Sequence, residues 1–197
     1  MQNIKKRSNI GCCRLFGNRK ENNMNTLEAI AKRTSVRAYR PEQITEGELQ
    51  EILKAGCAAP IASAQYETLH ITVVQDPVLR KKVYEHQKAY VLQKLNILEE
   101  TDFGAPTLIL VSSAPVKRPG MQFTNSGCVI ENMVIAATDL GIASVVLAGA
   151  PFALQENLQL QKELGIPEGF VPVLGAAFGY GAEDVAPAEH TIAINRV

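Results

Sequence analysis

The run from Asn125 to Pro151 constrains the fold more than any other part of the chain. Its first half carries apolar side chains on almost every side of a helix, so the helix must be buried in a core or between subunits. Gly141 predicts a left-handed helix stop. Val145 to Leu147 predicts a buried strand, because the segment is short, β-branched and bounded by glycine. The residues able to cap the helix are Thr124, Asn125 and Ser126.

Length and composition indicate one globular domain. A chain of 197 residues with 46% hydrophobic and 20% charged residues can bury a core of ordinary size. No apolar run approaches the roughly 18 residues that a membrane helix needs, and the basic N-terminus lacks a signal-peptide core. The four cysteines show neither a disulfide framework nor a zinc spacing. We therefore expect a cytoplasmic protein with reduced thiols, without a metal and without a membrane partner.

Residues 1–23 differ from the remainder of the chain. They are rich in Asn, Lys and Arg and show no hydrophobic periodicity, which predicts a disordered basic extension. Two interpretations of its origin stay open: a genuine extension, or a segment upstream of a true start at Met24. A nucleic-acid-binding or membrane-binding arm is disfavoured, because a single short basic tail without interleaved aromatic residues is a weak signal. Residues 24–197 are predicted to form the folded domain.

The folded part predicts more helix than strand, without a strict alternation of the two. Capping patterns at Asn25 and Thr45 open two helices, the first with Leu27, Ile30 and Ala31 facing inward, and Asp76-Pro77 opens a longer one that runs to about Glu100. A further helix is expected over residues 152–164. The expected strands are Leu69–Val74, Thr107–Val111, Val145–Leu147, Val171–Phe178 and an edge strand at Thr191–Asn195. This pattern is typical of an α+β sandwich with a small central sheet.

A basic segment follows the first helix. Arg33, Ser35 and Arg37 alternate along an extended stretch before Pro41, so they share one side. Two guanidinium groups and a hydroxyl on one side could bind a phosphate. A solvated run of charges explains the same spacing, and the pattern alone does not decide between the two.

Common catalytic motifs are missing from the sequence. It contains no glycine-rich nucleotide loop, nucleophile elbow or zinc-binding helix motif. His70, His86 and His190 lie far apart without ligand spacing, and Cys57 and Cys128 sit among apolar residues. An enzyme of this kind would take its reactive centre from a cofactor.

Taken together, the segments resemble the nitroreductase family of FMN flavoproteins. The stretch Arg33-Thr-Ser-Val-Arg37-Ala-Tyr39 looks like the family's R-x-S-x-R-x-[FY] motif. Residues 125–149 resemble its central helix and strand, and Leu164 to Tyr180 is similar to its closing strand. The resemblance covers Met24 to about Gly181 and implies a three-layer sandwich around a mixed sheet, assembled as an intertwined homodimer with FMN at the interface.

The resemblance also implies a cofactor site. Arg33, Thr34, Ser35 and Arg37 would hold the FMN phosphate and ribityl chain. A loop from the partner subunit would lie against the flavin, and the backbone N–H groups of Ala148 and Gly149 would reach the ring. The loop residues are Pro60, Ile61, Ala62, Ser63 and Gln65. Arg196 would replace a basic pair that the family often carries after its last strand.

The implied reaction is a ping-pong hydride transfer. NADH or NADPH reduces the flavin at N5 and leaves, and a small acceptor such as a nitroaromatic or quinone is then reduced in the same place. No side chain is expected to act as a catalytic acid or base. The loop at residues 60–69 departs from the usual family sequence, which leaves three alternatives open: dehalogenation, flavin breakdown or FMN binding without turnover.

Overall fold

The computed structural model describes residues 24–96, residue 98 and residues 102–197. The predicted basic extension at residues 1–23 lies outside this part of the chain. Within it the strands are β1 Leu69–Val74, β2 Thr107–Ser113, β3 Ala143–Leu147 and β4 Val171–Gly179. The helices are α1 Thr26–Lys32, α2 Glu46–Cys57, α3 Pro77–Leu95, α4 Met121–Asp139, α5 Gly149–Gln155 and α6 Leu158–Glu163.

The four strands form one sheet in the order β1-β2-β4-β3, and all three pairings are antiparallel. β1 ends and β2 begins at the same end of the sheet, with α3 between them, so Val74 pairs with Leu108. Among the described residues, parallel pairing is confined to an isolated bridge between Ser35 and Ser144 at the outer edge of β3. The expected mixture of strand directions is therefore limited to this one bridge.

Helices cover both faces of the sheet and give three layers. Alternate residues of β2 face opposite ways: Ile109 and Val111 join the cluster under α2 and α4, whereas Leu108 and Leu110 join the cluster under α3, α5 and α6. Every residue of β2 is buried, as expected for a central strand covered on both sides. The predicted α+β sandwich is confirmed.

The central helix α4 is buried as predicted but begins earlier. It starts at Met121 behind Gly120, whose φ of 89° places it in the left-handed region, and no side chain caps it. The capping predictions at Thr124, Asn125 and Ser126 were wrong, because all three lie within the helix. The side chains of Asn125 and Ser126 are buried there and can contact the rest of the fold.

Several other boundaries also differ from the predictions. The third helix ends at Leu95, where Asn96 takes a left-handed conformation with φ 53°. The helix expected over residues 152–164 is divided into α5 and α6, because the Asn157 side chain caps a new helix. β3 is an edge strand, and Val146 is therefore 40% exposed. Residues 191–195 form no strand.

The prediction that Leu27, Ile30 and Ala31 of α1 face inward was wrong within one protomer. Ala29 is the buried residue of the helix, whereas Leu27 and Ile30 are 77% and 49% exposed. Asn25 does cap the helix, since its side chain accepts a hydrogen bond from the N–H of Glu28. The helix thus forms as expected, but Leu27 and Ile30 remain exposed within one protomer.

Candidate functional site

Three connections meet at one end of the sheet. Strand register brings Leu69 opposite Ser113, and Ser113 opposite Val171, while β3 ends with Leu147 opposite Gly175. The loop before β1, the loop after β2 and the start of α5 therefore lie at the same end. The N–H of Ala114 donates to the carbonyl of Thr68 at 2.8 Å and joins the first two. This end of the sheet holds two of the three predicted groups of site residues.

Gly149 forms a close contact with α3. A Cβ placed on it would lie 2.6 Å from Nε2 of Gln87 and 3.2 Å from Cδ, so only glycine permits this approach. Gln87 is 8% exposed, and its Oε1 has no hydrogen-bond partner in the described structure. A buried amide oxygen without a partner is costly, so a donor supplied by a bound molecule would stabilise this arrangement. Sequence reasoning missed Gln87, because one glutamine on a largely polar helix carries no motif.

The basic segment after α1 runs along the outer edge of β3. The N–H of Val36 donates to the carbonyl of Ser144 at 3.0 Å, beside the parallel bridge at Ser35. Arg37 is exposed, and its Nη1 lies 3.5 Å from the carbonyl oxygen of Ser35. Arg33 and Ser35 are half-buried. The segment is therefore anchored through its backbone while its guanidinium groups stay available to an anion.

Thr34 faces away from this basic side. Together with Lys32, Arg40 and Tyr180 it lines a cavity of about 300 Å³, whose walls do not include Arg33, Ser35 or Arg37. This agrees with the alternation predicted from the sequence. Thr34 can contribute its backbone to the basic side, as the resemblance implied, but its side chain belongs to the cavity.

The loop before β1 presents most of the remaining predicted residues. Pro60, Ser63 and Gln65 are exposed and Ala62 is half-buried, whereas Ile61 is only 8% exposed and packs in the core under α2 and α4. The Ile61 side chain therefore anchors the loop. The place of Ile61 against the flavin remains a prediction.

Arg196 lies outside the regular helices and strands of the fold. It is exposed in the segment 182–197, which has no regular helix or strand. Its role as a phosphate ligand remains a prediction.

Burial shifts the pKa values of two titratable side chains near the sheet. Burial lowers the pKa of His70, whose ring packs edge-on against Phe170 with the centroids 6.0 Å apart. Burial likewise raises the pKa of Tyr39, so its phenol stays neutral. Neither side chain pairs with a base or an acid in a proton-transfer arrangement in the described structure.

The model of the Nitroreductase family matches residues 30–180 of the chain. The chain belongs to the nitroreductase family. This confirms the predicted family. An Archaeoglobus fulgidus protein provisionally named NADH dehydrogenase/NAD(P)H nitroreductase is 32% identical over 162 residues, which cover 80% of this chain and 86% of the relative. The NADPH-flavin oxidoreductase of Vibrio harveyi is 25% identical, over 79% of this chain and 65% of that protein.

Solved nitroreductase structures share the fold. The Bacteroides fragilis nitroreductase with bound FMN superposes with a TM-score of 0.77 at 34% identity, covering 88% of this chain and 99% of that chain. A Desulfitobacterium hafniense nitroreductase with bound FMN gives a TM-score of 0.78 at 26% identity, covering 88% and 100%. Among the described residues of this nitroreductase-family chain, no helix is long and apolar enough to cross a membrane.

Proposed function

We propose that this nitroreductase-family protein binds FMN and uses NADH or NADPH to reduce small acceptors such as nitroaromatics or quinones. The observation that carries the proposal is the contact between Gly149 and the buried amide of Gln87 at the end of the sheet. A flavin ring offers both hydrogen-bond donors and acceptors at its edge, and an amide such as that of Gln87 can pair with either kind. The bound FMN in the Bacteroides fragilis relative supports this choice of cofactor.

The spacing between the two ends of the proposed site fits such a ligand. The basic segment is anchored beside Ser144, and Gly149 lies five residues further along the chain. At about 3.3 Å per residue this separation is at most about 16 Å, which suits a flavin ring joined to a ribityl phosphate. Arg33 and Arg37 would hold the phosphate, because guanidinium groups bind its oxygens in pairs.

The assembly we propose is an intertwined homodimer. Leu27 and Ile30 on α1 expose apolar surface, as do Ile192 and Ile194 in the extended segment 182–197. A second copy of the chain can cover these side chains, and burial contributes about 25 cal/mol for each Å² of apolar surface. Exchange of the segment 182–197 would carry Arg196 to the partner, where it can serve as a phosphate ligand.

The chain's own residues act by positioning. FMN supplies the hydride-accepting and hydride-donating centre when bound. The backbone N–H groups of Ala148 and Gly149 would hold the ring edge and would stabilise negative charge there. The partner subunit's loop at residues 60–65 would lie against the ring and would position the acceptor. His86 is engaged elsewhere, since its Nε2 lies 3.0 Å from the carbonyl oxygen of Ala153.

The decisive experiment compares FMN with riboflavin, which lacks the phosphate. Protein refolded with FMN should turn yellow, lose flavin absorbance on anaerobic addition of NADH or NADPH, and regain it with a nitroaromatic or quinone. Arg37→Ala should weaken FMN binding by about tenfold or more and riboflavin binding little, because a charge-assisted hydrogen bond contributes about 1.5–3 kcal/mol.

Lys32→Ala is the matched control. Lys32 lies close to the basic segment in sequence but lines the cavity on the other side and pairs with Glu28 at 2.7 Å. Lys32→Ala should leave the preference for FMN over riboflavin unchanged. Colourless protein after refolding with FMN would refute the proposal, and bound FMN that neither NADH nor NADPH reduces would favour the non-catalytic alternative.

A cytoplasmic location and a folded unit over residues 24–197 remain predictions.

A further inference from the structure

The loop at residues 60–65 adopts an unfavourable backbone conformation. Ser63 has φ 57° and Ala64 has φ 53°, so two consecutive residues other than glycine lie in the left-handed region. The Cβ of an L residue approaches its own backbone closely there. Such a conformation persists when surrounding contacts enforce it, and it is concentrated at functional sites.

One buried side chain from another element holds this loop. Asn125, which is 4% exposed in the second turn of α4, accepts a hydrogen bond at its Oδ1 from the N–H of Ala62 at 3.1 Å. Ala62 immediately precedes the left-handed pair. Within the loop, the N–H of Ala64 donates to the carbonyl of Ile61 at 2.9 Å. The Asn125 contact therefore ties the strained turn to the central helix α4.

We propose that Asn125 is a positioning residue that fixes the loop in the conformation that covers the flavin. The inference rests on the proposed FMN site, to which the loop belongs. A loop held in place before binding loses little conformational entropy when the ligand arrives, so preorganisation raises affinity. Asn125 itself does not touch the ligand, because its side chain is buried behind Ala62.

The test removes the hydrogen bond from either side. Asn125→Ala removes the acceptor, and Ala62→Pro removes the donor N–H. Ile61 before it already has the extended φ −115° and ψ 133° that a residue preceding proline favours. Each variant should bind FMN about five- to tenfold more weakly, the usual effect of one net hydrogen bond. The double variant should lose no more than either single variant.

Two further variants separate positioning from general destabilisation. Asn125→Asp keeps an acceptor oxygen and should bind FMN within about twofold of wild type. Ala64→Gly makes the left-handed conformation accessible without help, so the loss caused by Asn125→Ala should be smaller in that background. Thr124→Ala, on the exposed side of the same helical turn, is the control and should leave FMN affinity unchanged.

Hydrogen exchange of the Ala62 amide in the protein without FMN provides an independent measurement. Protection should be present in wild type and in Asn125→Asp, and lost in Asn125→Ala. Wild-type affinity in Asn125→Ala, or equal weakening in Asn125→Asp and Asn125→Ala, would overturn the inference. If wild type binds no FMN, the proposed function fails, and the exchange of the Ala62 amide then decides the role of Asn125 separately.

Discussion

Replacing Gly149 with alanine tests the proposed site most directly. The added Cβ would lie 2.6 Å from Nε2 of Gln87, so the amide must move by at least about 0.8 Å to restore an ordinary contact of 3.4 Å. All three nearest atoms belong to this one flexible side chain. The amide can therefore swing away while the backbone around it keeps its place.

The two consequences of the substitution differ in size. Stability should change by no more than about 1 kcal/mol, because alanine favours the helical start of α5 while the displaced amide loses packing. FMN affinity should fall about fivefold if the Gln87 amide gives up one hydrogen bond to the ring, and about thirtyfold if it gives up two. Cofactor binding is thus weakened while the fold remains.

The assay combines a titration of flavin fluorescence with urea unfolding of the protein without FMN. Gly47→Ala is the matched control, since a Cβ there meets nothing within 4 Å, and it should keep wild-type affinity. Gln87→Ala should weaken binding by itself, and Gly149→Ala should add little in that background because the collision is gone. Unchanged FMN affinity in Gly149→Ala would refute the assignment of the Gln87 amide to the cofactor site.

Three further predictions concern stability and titration. Gly56→Ala should lower the free energy of unfolding by about 1–3 kcal/mol in urea, because its Cβ would meet Cγ of the fully buried Met133 at 2.9 Å; an unchanged unfolding midpoint would contradict the packing. Burial raises the pKa of Glu48, but hydrogen bonds, led by those from Thr45, outweigh it and leave that pKa below 4.5. The carboxylate therefore stabilises the fold above the unfolded-state pKa of about 4.3 and loses this effect as pH falls through the lower folded-state value. Glu48→Gln should flatten the acid limb of the stability profile, and an unaltered limb would be evidence against this role. His70 should titrate below 6.5 by NMR, since burial lowers its pKa. Its contribution to stability is then lost as pH falls below 6.5. A titration midpoint at the ordinary histidine value would contradict its burial.

Much of the fold could be predicted from local signals. The capping box at Thr45 forms as expected, with both reciprocal hydrogen bonds present. Asp76 caps α3, and the apolar run after Asn125 is buried. The errors concern where elements end and which strand lies at the edge. Both depend on what packs against an element, as Val146 shows by its exposure on β3, the last strand of the sheet.

The candidate site was predictable only where its residues form a pattern. Arg33, Ser35 and Arg37 alternate along one strand-like segment, so their shared side was visible in the sequence. Gln87 and Asn125 were not visible in this way, because each acts through a contact with a residue about 60 positions away in the chain. A single amide in a largely polar or apolar helix does not reveal which backbone it meets.

The sequence by itself determined the layers, the central helix and the family, since these follow from periodicity, capping and the order of short motifs. Tertiary structure alone decided that Gly149 meets the Gln87 amide and that Asn125 holds the N–H of Ala62. The physical reason is the distance along the chain between the residues that interact. Helices and strands are specified by neighbours a few residues apart, whereas a buried polar contact is specified by the packing of whole elements.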